Sequence, residues 1–173
     1  LVARLTPQKG LDLILPIIPR LAEKGAEFQF LGQGLPKYEK TLVTLSRRYP
    51  KNVRVKIGFD EKLAHRIYAE SDFFLMPSLF EPSGLGQMIS MHYGTIPIVR
   101  ATGGLKDSVK HLQTGFVFKG KRPKDLLSAI EVALKWFREP KKLAQLRKNC
   151  LNQDFSWKKS GKNYLSLYKN LVK

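Results

Sequence analysis

Short apolar stretches alternate along this chain with longer stretches of helical periodicity. We interpret six apolar stretches as strands, at residues 1–4, 27–31, 53–57, 72–76, 96–99 and 115–118. Predicted helices lie between or after them, at residues 12–24, 36–48, 61–69, 85–93, 123–137, 141–149 and 158–173. Because parallel neighbours need a long crossover, this order predicts an α/β fold: a doubly wound parallel sheet of about six strands with helices on both faces.

The loop after the fourth predicted strand, residues 77–86, has an unusual composition. It holds two prolines, two glycines and one carboxylate, Glu81, which Pro82 biases toward an extended conformation. Gly84 and Gly86 leave the amides around Leu85 uncovered, and unpaired amides at the start of a helix bind phosphate. An acid beside such a turn predicts a ligand that joins hydroxyl groups to phosphate. A plain surface acid is the alternative for Glu81.

Four loops follow predicted strands and should therefore open on one edge of the sheet: residues 5–10, 58–60, 78–86 and 100–105. Ligands of parallel sheets bind at the carboxyl ends of the strands, so this edge is the predicted site. Arg4 and Lys9 border the first loop and could neutralise a diphosphate leaving group. Their spacing is equally consistent with two solvated basic side chains that bind no ligand.

Two further loops offer weaker signals. Phe59 follows the third predicted strand and could stack on a nucleobase, although a ring at that boundary is more often part of the core. Thr102 and Gly103, followed by Gly104, allow the backbone to approach a ligand closely, but glycine pairs are mostly plain turns.

Composition limits the remaining possibilities. The 173 residues are 43% apolar, enough for one core and one domain. A single cysteine, Cys150, excludes an internal disulfide or a cysteine metal cluster, and the three histidines lack ligand spacing, so we expect no metal. No apolar run approaches the roughly 20 residues that span a bilayer, so we expect no membrane partner. The chain begins without Met inside a predicted strand, which suggests a fragment of a longer protein.

The net charge is +17, and residues 119–173 carry 15 Lys or Arg against 4 Asp or Glu. Such a surface attracts nucleic acid, anionic lipid or phosphorylated substrates. The basic residues alternate with Leu, Ile and Ala at helical spacing, so we favour the solvated faces of amphipathic helices. No aromatic residues interleave with them as a stacking platform, and a module that binds nucleic acid is therefore the less favoured alternative.

Four segments resemble a known family: residues 4–12 (RLTPQKGLD), 60–65 (DEKLAH), 80–85 (FEPSGL) and 94–105 (GTIPIVRATGGL). They are similar, in order and spacing, to the bacterial glycogen synthases and plant starch synthases, which are retaining GT-B glucosyltransferases with two Rossmann-like domains. The likeness extends to residues 154–157 and the closing helix. It implies that residues 1–173 are the single C-terminal, nucleotide-sugar-binding domain, without the N-terminal acceptor domain.

The resemblance also implies an activity and a set of site residues. Glucose would pass from ADP-glucose or UDP-glucose to the non-reducing end of an α-1,4-glucan with retention of configuration, without a cofactor, in a bacterial cytoplasm or, as second choice, a plastid. Arg4 and Lys9 would hold the diphosphate, Phe59 the base and Glu81 the glucose. The remaining contacts would come from Ser83, Gly84, Leu85, Gly86, Thr102 and Gly103. Ile89 stands eight residues after Glu81, where related families have a second glutamate. Another GT-B sugar transferase is the alternative.

Overall fold

The computed structural model describes residues 1–172, and within them it contains five strands and nine α-helices. The strands are β1 (Phe28–Gly32), β2 (Val53–Ile57), β3 (Phe73–Met76), β4 (Ile96–Arg100) and β5 (Phe116–Phe118). The helices are α1 (Leu11–Ile14), α2 (Ile18–Ala22), α3 (Pro36–Arg48), α4 (Glu61–Glu70), α5 (Gly86–His92), α6 (Gly103–Ser108), α7 (Pro123–Phe137), α8 (Pro140–Leu151) and α9 (Trp157–Leu171). The last residue of the final predicted helix lies outside the described residues.

Every strand pair is parallel, as predicted. β1 pairs with β2, starting at Phe28 opposite Val53. β4 lies between β3 and β5 and pairs with both. The strands thus form two hydrogen-bonded groups, one of two strands and one of three.

The predicted strand at residues 1–4 is not a regular strand. Val2 and Leu5 each form an isolated parallel bridge, to Leu31 and Gly34, and the backbone bends at Ala3 between them. The bend interrupts the ladder, so five strands replace the six that were predicted. The segment still lies beside β1, because the Ala3 N–H donates to the Leu31 carbonyl at 3.1 Å.

Prolines divide the predicted helix at residues 12–24. α1 ends at Ile14, a short 3-10 helix covers Leu15–Ile17, and α2 follows. Pro16 and Pro19 have no N–H to donate, so a continuous ladder of helical hydrogen bonds cannot pass through them. The helix predicted at residues 12–24 is therefore interrupted at both prolines.

The predicted loop at residues 100–105 is partly helical instead. Arg100 completes β4, and α6 begins at Gly103. Two glycines at the start of a helix oppose its formation, which is why the sequence pattern indicates a turn. Contacts with a distant loop stabilise the start of α6: the Gly104 N–H donates to the carbonyls of Glu81 and Pro82, at 3.2 and 3.0 Å.

The core centres on β4, whose five residues are all buried. α7 packs against β4 and β5 and also contacts α1, whereas α5 packs against β3 and β4. Helices therefore cover both sides of the parallel strands, as predicted. β3 is less enclosed than β4, because only Phe74 is buried there. Within residues 1–172, no helix is long and apolar enough to cross a membrane.

Candidate functional site

The first loop and the loop after β3 meet, although 72 residues separate them. The Lys9 ammonium nitrogen, Nζ, lies 2.5 Å from the Glu81 carboxylate oxygen Oε2. The Ser78 hydroxyl donates to the same oxygen at 3.2 Å. Glu81 is only 7% exposed, so the surface-acid alternative is wrong. The pair places a cation and a buried carboxylate at the carboxyl end of the strands.

A cavity of about 210 Å³ opens over this pair. Six residues predicted for the site line it: Arg4, Lys9, Glu81, Gly84, Leu85 and Gly86. The remaining lining residues are Leu1, Val2, Ala3, Tyr68, Leu75, Met76 and Ser78. Burial raises the pKa of the Tyr68 phenol above its usual value.

A larger cleft of about 440 Å³ lies elsewhere and contains none of the predicted site residues. Its walls include Phe28 and Phe73, the first residues of β1 and β3, so it opens toward the amino ends of the strands. Parallel sheets bind their ligands at the opposite edge. The smaller cavity is therefore the candidate site.

Arg100, at the end of β4, supports the loop that carries Glu81. Its Nε donates to the Ser78 carbonyl at 2.7 Å, and its Nη2 donates to the Leu79 carbonyl. The side chain is buried, and this burial lowers the pKa of the guanidinium from its usual value. Arginine remains charged after such a shift, so a buried cation lies beneath the loop.

The next three carbonyls of the same loop are also hydrogen-bonded. The Gln8 side-chain amide donates to the Phe80 carbonyl at 3.1 Å, and the Gly104 N–H donates to the carbonyls of Glu81 and Pro82. All five consecutive carbonyls from residue 78 to residue 82 thus accept hydrogen bonds from three separate segments. This arrangement holds the backbone around Glu81 in one conformation before any ligand binds.

Two glycines allow these segments to approach so closely. Gly10 has φ +75°, and a Cβ atom there would lie 2.0 Å from the Pro77 carbonyl oxygen. Gly103 has φ +41°, and its Cβ would lie 2.1 Å from the Glu81 carbonyl oxygen. Gly103 therefore packs against the backbone of Glu81, and its predicted contact with a ligand stays a prediction.

The amides predicted to bind phosphate lie where the sequence indicated. α5 begins at Gly86, and within the described part of the chain the N–H groups of Gly84, Leu85 and Gly86 donate no hydrogen bond. The buried side chain of Gln87 stabilises this turn, because its Nε2 contacts the carbonyls of Ser83 and Gly84 at 3.2 and 3.0 Å. Three amides thus remain available to an anion.

Four predicted contacts do not line the cavity: Phe59, Ser83, Thr102 and Gly103. Phe59 is 86% exposed, so its interpretation as a core residue is wrong. Its ring projects from the loop after β2, and stacking on a base stays a prediction. Ser83 is exposed, and Thr102 is the residue before α6.

Sequence reasoning missed three buried polar residues beside the site: Ser78, Gln87 and Arg100. Each is a polar residue next to a buried strand or inside an apolar helix, and that placement was the available signal. The side-chain oxygen of Gln87, Oε1, and the hydroxyl of Thr6 are the buried side-chain atoms without a partner among residues 1–172. In the same part of the chain, no cluster of three His, Cys, Asp or Glu side chains could hold a metal ion.

Comparison with known proteins identifies the family. Residues 1–169 match the family described as glycosyl transferases group 1. The chain belongs to the group 1 glycosyl transferases. This family membership, together with the parallel α/β fold, confirms the predicted glycosyltransferase domain.

Individual relatives of this group 1 glycosyl transferase show which members of the family it resembles. The chain is 47% identical to the glycogen synthase of Cellvibrio japonicus over 98% of its own length, and 45% identical to that of Bacillus cytotoxicus over all of it. The catalytic domain of starch synthase IV from Arabidopsis thaliana, solved with ADP and acarbose, superposes with a TM-score of 0.87 at 37% identity over 98% of the chain. The predicted resemblance to these synthases is confirmed. The chain spans 37% of the length of each of these three relatives.

Proposed function

We propose that this chain is the C-terminal, nucleotide-sugar-binding part of a two-domain glycogen or starch synthase. The whole enzyme would transfer glucose from ADP-glucose or UDP-glucose to the non-reducing end of an α-1,4-glucan, with retention of configuration and without a cofactor. An N-terminal domain would supply most of the acceptor site, and the bacterial cytoplasm is the proposed location. The Lys9–Glu81 pair in the cavity at the carboxyl edge of the sheet is the observation that supports this proposal best.

The cations and amides around the cavity suit a diphosphate. Arg4 and Lys9 line the cavity from the first loop, and Gly84, Leu85 and Gly86, whose N–H groups donate no hydrogen bond among residues 1–172, line it from the loop after β3. Breaking the bond between the sugar and the diphosphate leaves negative charge on the departing phosphate. Fixed cations and amides that stabilise this charge lower the barrier to bond breaking.

The carboxylate of Glu81 interacts with the sugar part of the donor in this proposal. Glu81 can accept hydrogen bonds from glucose hydroxyls and stabilise positive charge that develops at the anomeric carbon. Ile89 occupies the position eight residues later, so the mechanism uses one carboxylate rather than a pair. Phe59 would stack on the base, with Ser83, Thr102 and Gly103 completing the contacts to the donor.

Nucleotide binding is the first test. Calorimetric titration of the chain with ADP, UDP and ADP-glucose should show binding, and Arg4→Ala and Lys9→Ala should each weaken it, because each removes one cation from the diphosphate site. Lys24→Ala is the matched control, since Lys24 pairs with Glu131 on an exposed surface. Equal affinities for all three variants and the wild type would contradict the phosphate site.

Turnover is the second test. In the full-length enzyme, Glu81→Ala should lower kcat by about 100-fold to 1000-fold, because it removes a preorganised charge from the reacting centre. Glu131→Ala, which breaks the exposed pair with Lys24, should leave kcat unchanged. Wild-type turnover in the Glu81 variant would exclude its proposed role.

A further inference from the structure

Arg100 is a buried arginine whose charge is not paired with a carboxylate. It is 5% exposed, and none of the ion pairs among residues 1–172 includes it. Burying a cation is costly unless hydrogen bonds replace the lost water. Two backbone carbonyls, those of Ser78 and Leu79, supply such bonds. Because burial of the Arg100 guanidinium costs desolvation free energy, its presence indicates a role beyond filling the core.

The geometry of the contact uses the shape of the guanidinium group. Nε and Nη2 belong to one rigid plane, and they contact the carbonyls of two consecutive residues. A lysine ammonium has the same charge but no planar fork, so it would not hold both carbonyls in this fixed geometry. Arg100 therefore determines the orientation of the peptide groups at residues 78 and 79.

One further contact leads from these peptide groups to the carboxylate. Ser78, whose carbonyl binds Arg100, donates its hydroxyl to Glu81 Oε2 at 3.2 Å. Ser78 is 1% exposed, so its side chain has no room to reorient toward solvent. The chain of contacts runs from the guanidinium through Ser78 to the oxygen that also binds Lys9.

We propose that Arg100 is a positioning residue for Glu81, acting through the peptide groups of Ser78 and Leu79 rather than by touching the donor. This inference rests on the proposed function, because it assigns the work of Arg100 to the reaction that Glu81 serves. Two properties of Arg100 have to be distinguished. A lysine at this position would keep the positive charge but would lose the planar guanidinium group that contacts two carbonyls.

Arg100→Lys tests the planar two-point contact, because it keeps the positive charge and removes the guanidinium group. In the full-length enzyme we expect kcat to fall by about 100-fold, as for a misplacement of about 1 Å at a reacting group, with the donor KM little changed. Adding Arg100→Lys to Glu81→Ala should cause no further loss, because the residue acts through Glu81. Arg147→Lys is the matched control, since the side chain of Arg147 is 40% exposed and contacts Asp72 at 2.6 Å, and the kcat of this variant should equal that of the wild type.

Hydrogen exchange gives a readout that is independent of activity. In Arg100→Lys, the amides of Leu79 and Gly104, which bond to Gln8 and to the Glu81 loop, should exchange faster than in the wild type, while amides of α7 should not. Ser78→Ala is a second, milder variant, and it should lower kcat without this change in exchange because it removes only the contact with Oε2.

The outcomes separate this inference from the proposed function. Wild-type kcat and exchange in Arg100→Lys, or additive losses in the double variant, would overturn the positioning role while the function of Glu81 stands. If Glu81→Ala turned over normally, the function assigned to Glu81 would fail. In that case faster exchange at Leu79 and Gly104 would still support Arg100 as the residue that orders the loop, and unchanged exchange would overturn it.

Discussion

Gly103 packs so closely against Glu81 that a methyl group has no space there. A Cβ atom at this position would lie 2.1 Å from the Glu81 carbonyl oxygen, and φ is +41°. We expect Gly103→Ala to shift the loop and to lower the free energy of unfolding by about 1 to 3 kcal/mol, because the strained backbone and the clash both act on the folded state.

Gly161→Ala is the control for this glycine. Gly161 lies in α9 with no atom within 4 Å of an added Cβ, so the change should raise the stability of the helix by up to about 1 kcal/mol. Urea unfolding of both variants measures the difference. Equal stability of Gly103→Ala and the wild type would show that the loop adapts without cost.

Cys150 is a buried thiol whose ionisation couples to folding. Burial raises its pKa from about 9 to about 12, and Sγ donates to the Thr114 carbonyl at 3.2 Å. Between these two pH values the unfolded chain has lost this proton and the folded chain has kept it. The unfolded state then binds fewer protons, so the contribution of the thiol to the free energy of unfolding falls as pH rises above about 9.

Comparison with Cys150→Ser isolates this effect, because a serine hydroxyl can donate the same hydrogen bond but does not ionise in this range. The stability difference between wild type and variant should be constant below about pH 8 and should shift against the wild type above about pH 9. Urea unfolding at several pH values measures it. A difference that stays constant up to about pH 11 would contradict the raised pKa.

Among the helices, α4 begins at a side-chain cap that connects it to the loop bearing Phe59. The Leu63 N–H donates to the Asp60 carboxylate at 2.9 Å. Asp60→Ala should lower the free energy of unfolding by about 1 kcal/mol, because it leaves one N–H of the first turn without a partner. Asp60→Asn preserves an acceptor and should cost less. Urea denaturation compares the two, and equal losses would assign the effect to charge alone.

The whole molecule carries a net charge of +17, which acts on any anion. A duplex DNA fragment held by this general attraction should lose about 1000-fold in affinity or more between about 50 and 200 mM salt. ADP, bound at a partly enclosed cavity by a few contacts, should lose much less. Salt titrations of both ligands test this expectation. A salt dependence for ADP as steep as that for DNA would favour the polyanion-binding alternative.

Local patterns were sufficient to predict most elements. The bounds predicted for α3, β2 and α7 match the structure at both ends, because each has a clear apolar period and α3 and α7 begin with proline. α6 was missed because its two leading glycines oppose helix formation, and contacts with the Glu81 loop compensate for that preference. Residues 1–4 have the composition of a strand, but the backbone bends at Ala3 and only isolated bridges form on either side of it.

The site divides in a similar way. Its location followed from chain order alone, because the loops after parallel strands open on one edge, and Lys9 and Glu81 do meet there. The exposure of Phe59 and the hydrogen bonds of Arg100 could not be predicted from the residues adjacent to them in the sequence. Side-chain periodicity shows which residues share a face of one element, and the order of the elements shows which loops meet at one edge of the sheet. The sequence by itself therefore determined the elements and the edge that carries the site. The carbonyls that the side chains of Gln8 and Arg100 reach lie 72 and 22 residues away along the chain, so only the tertiary structure decided these contacts.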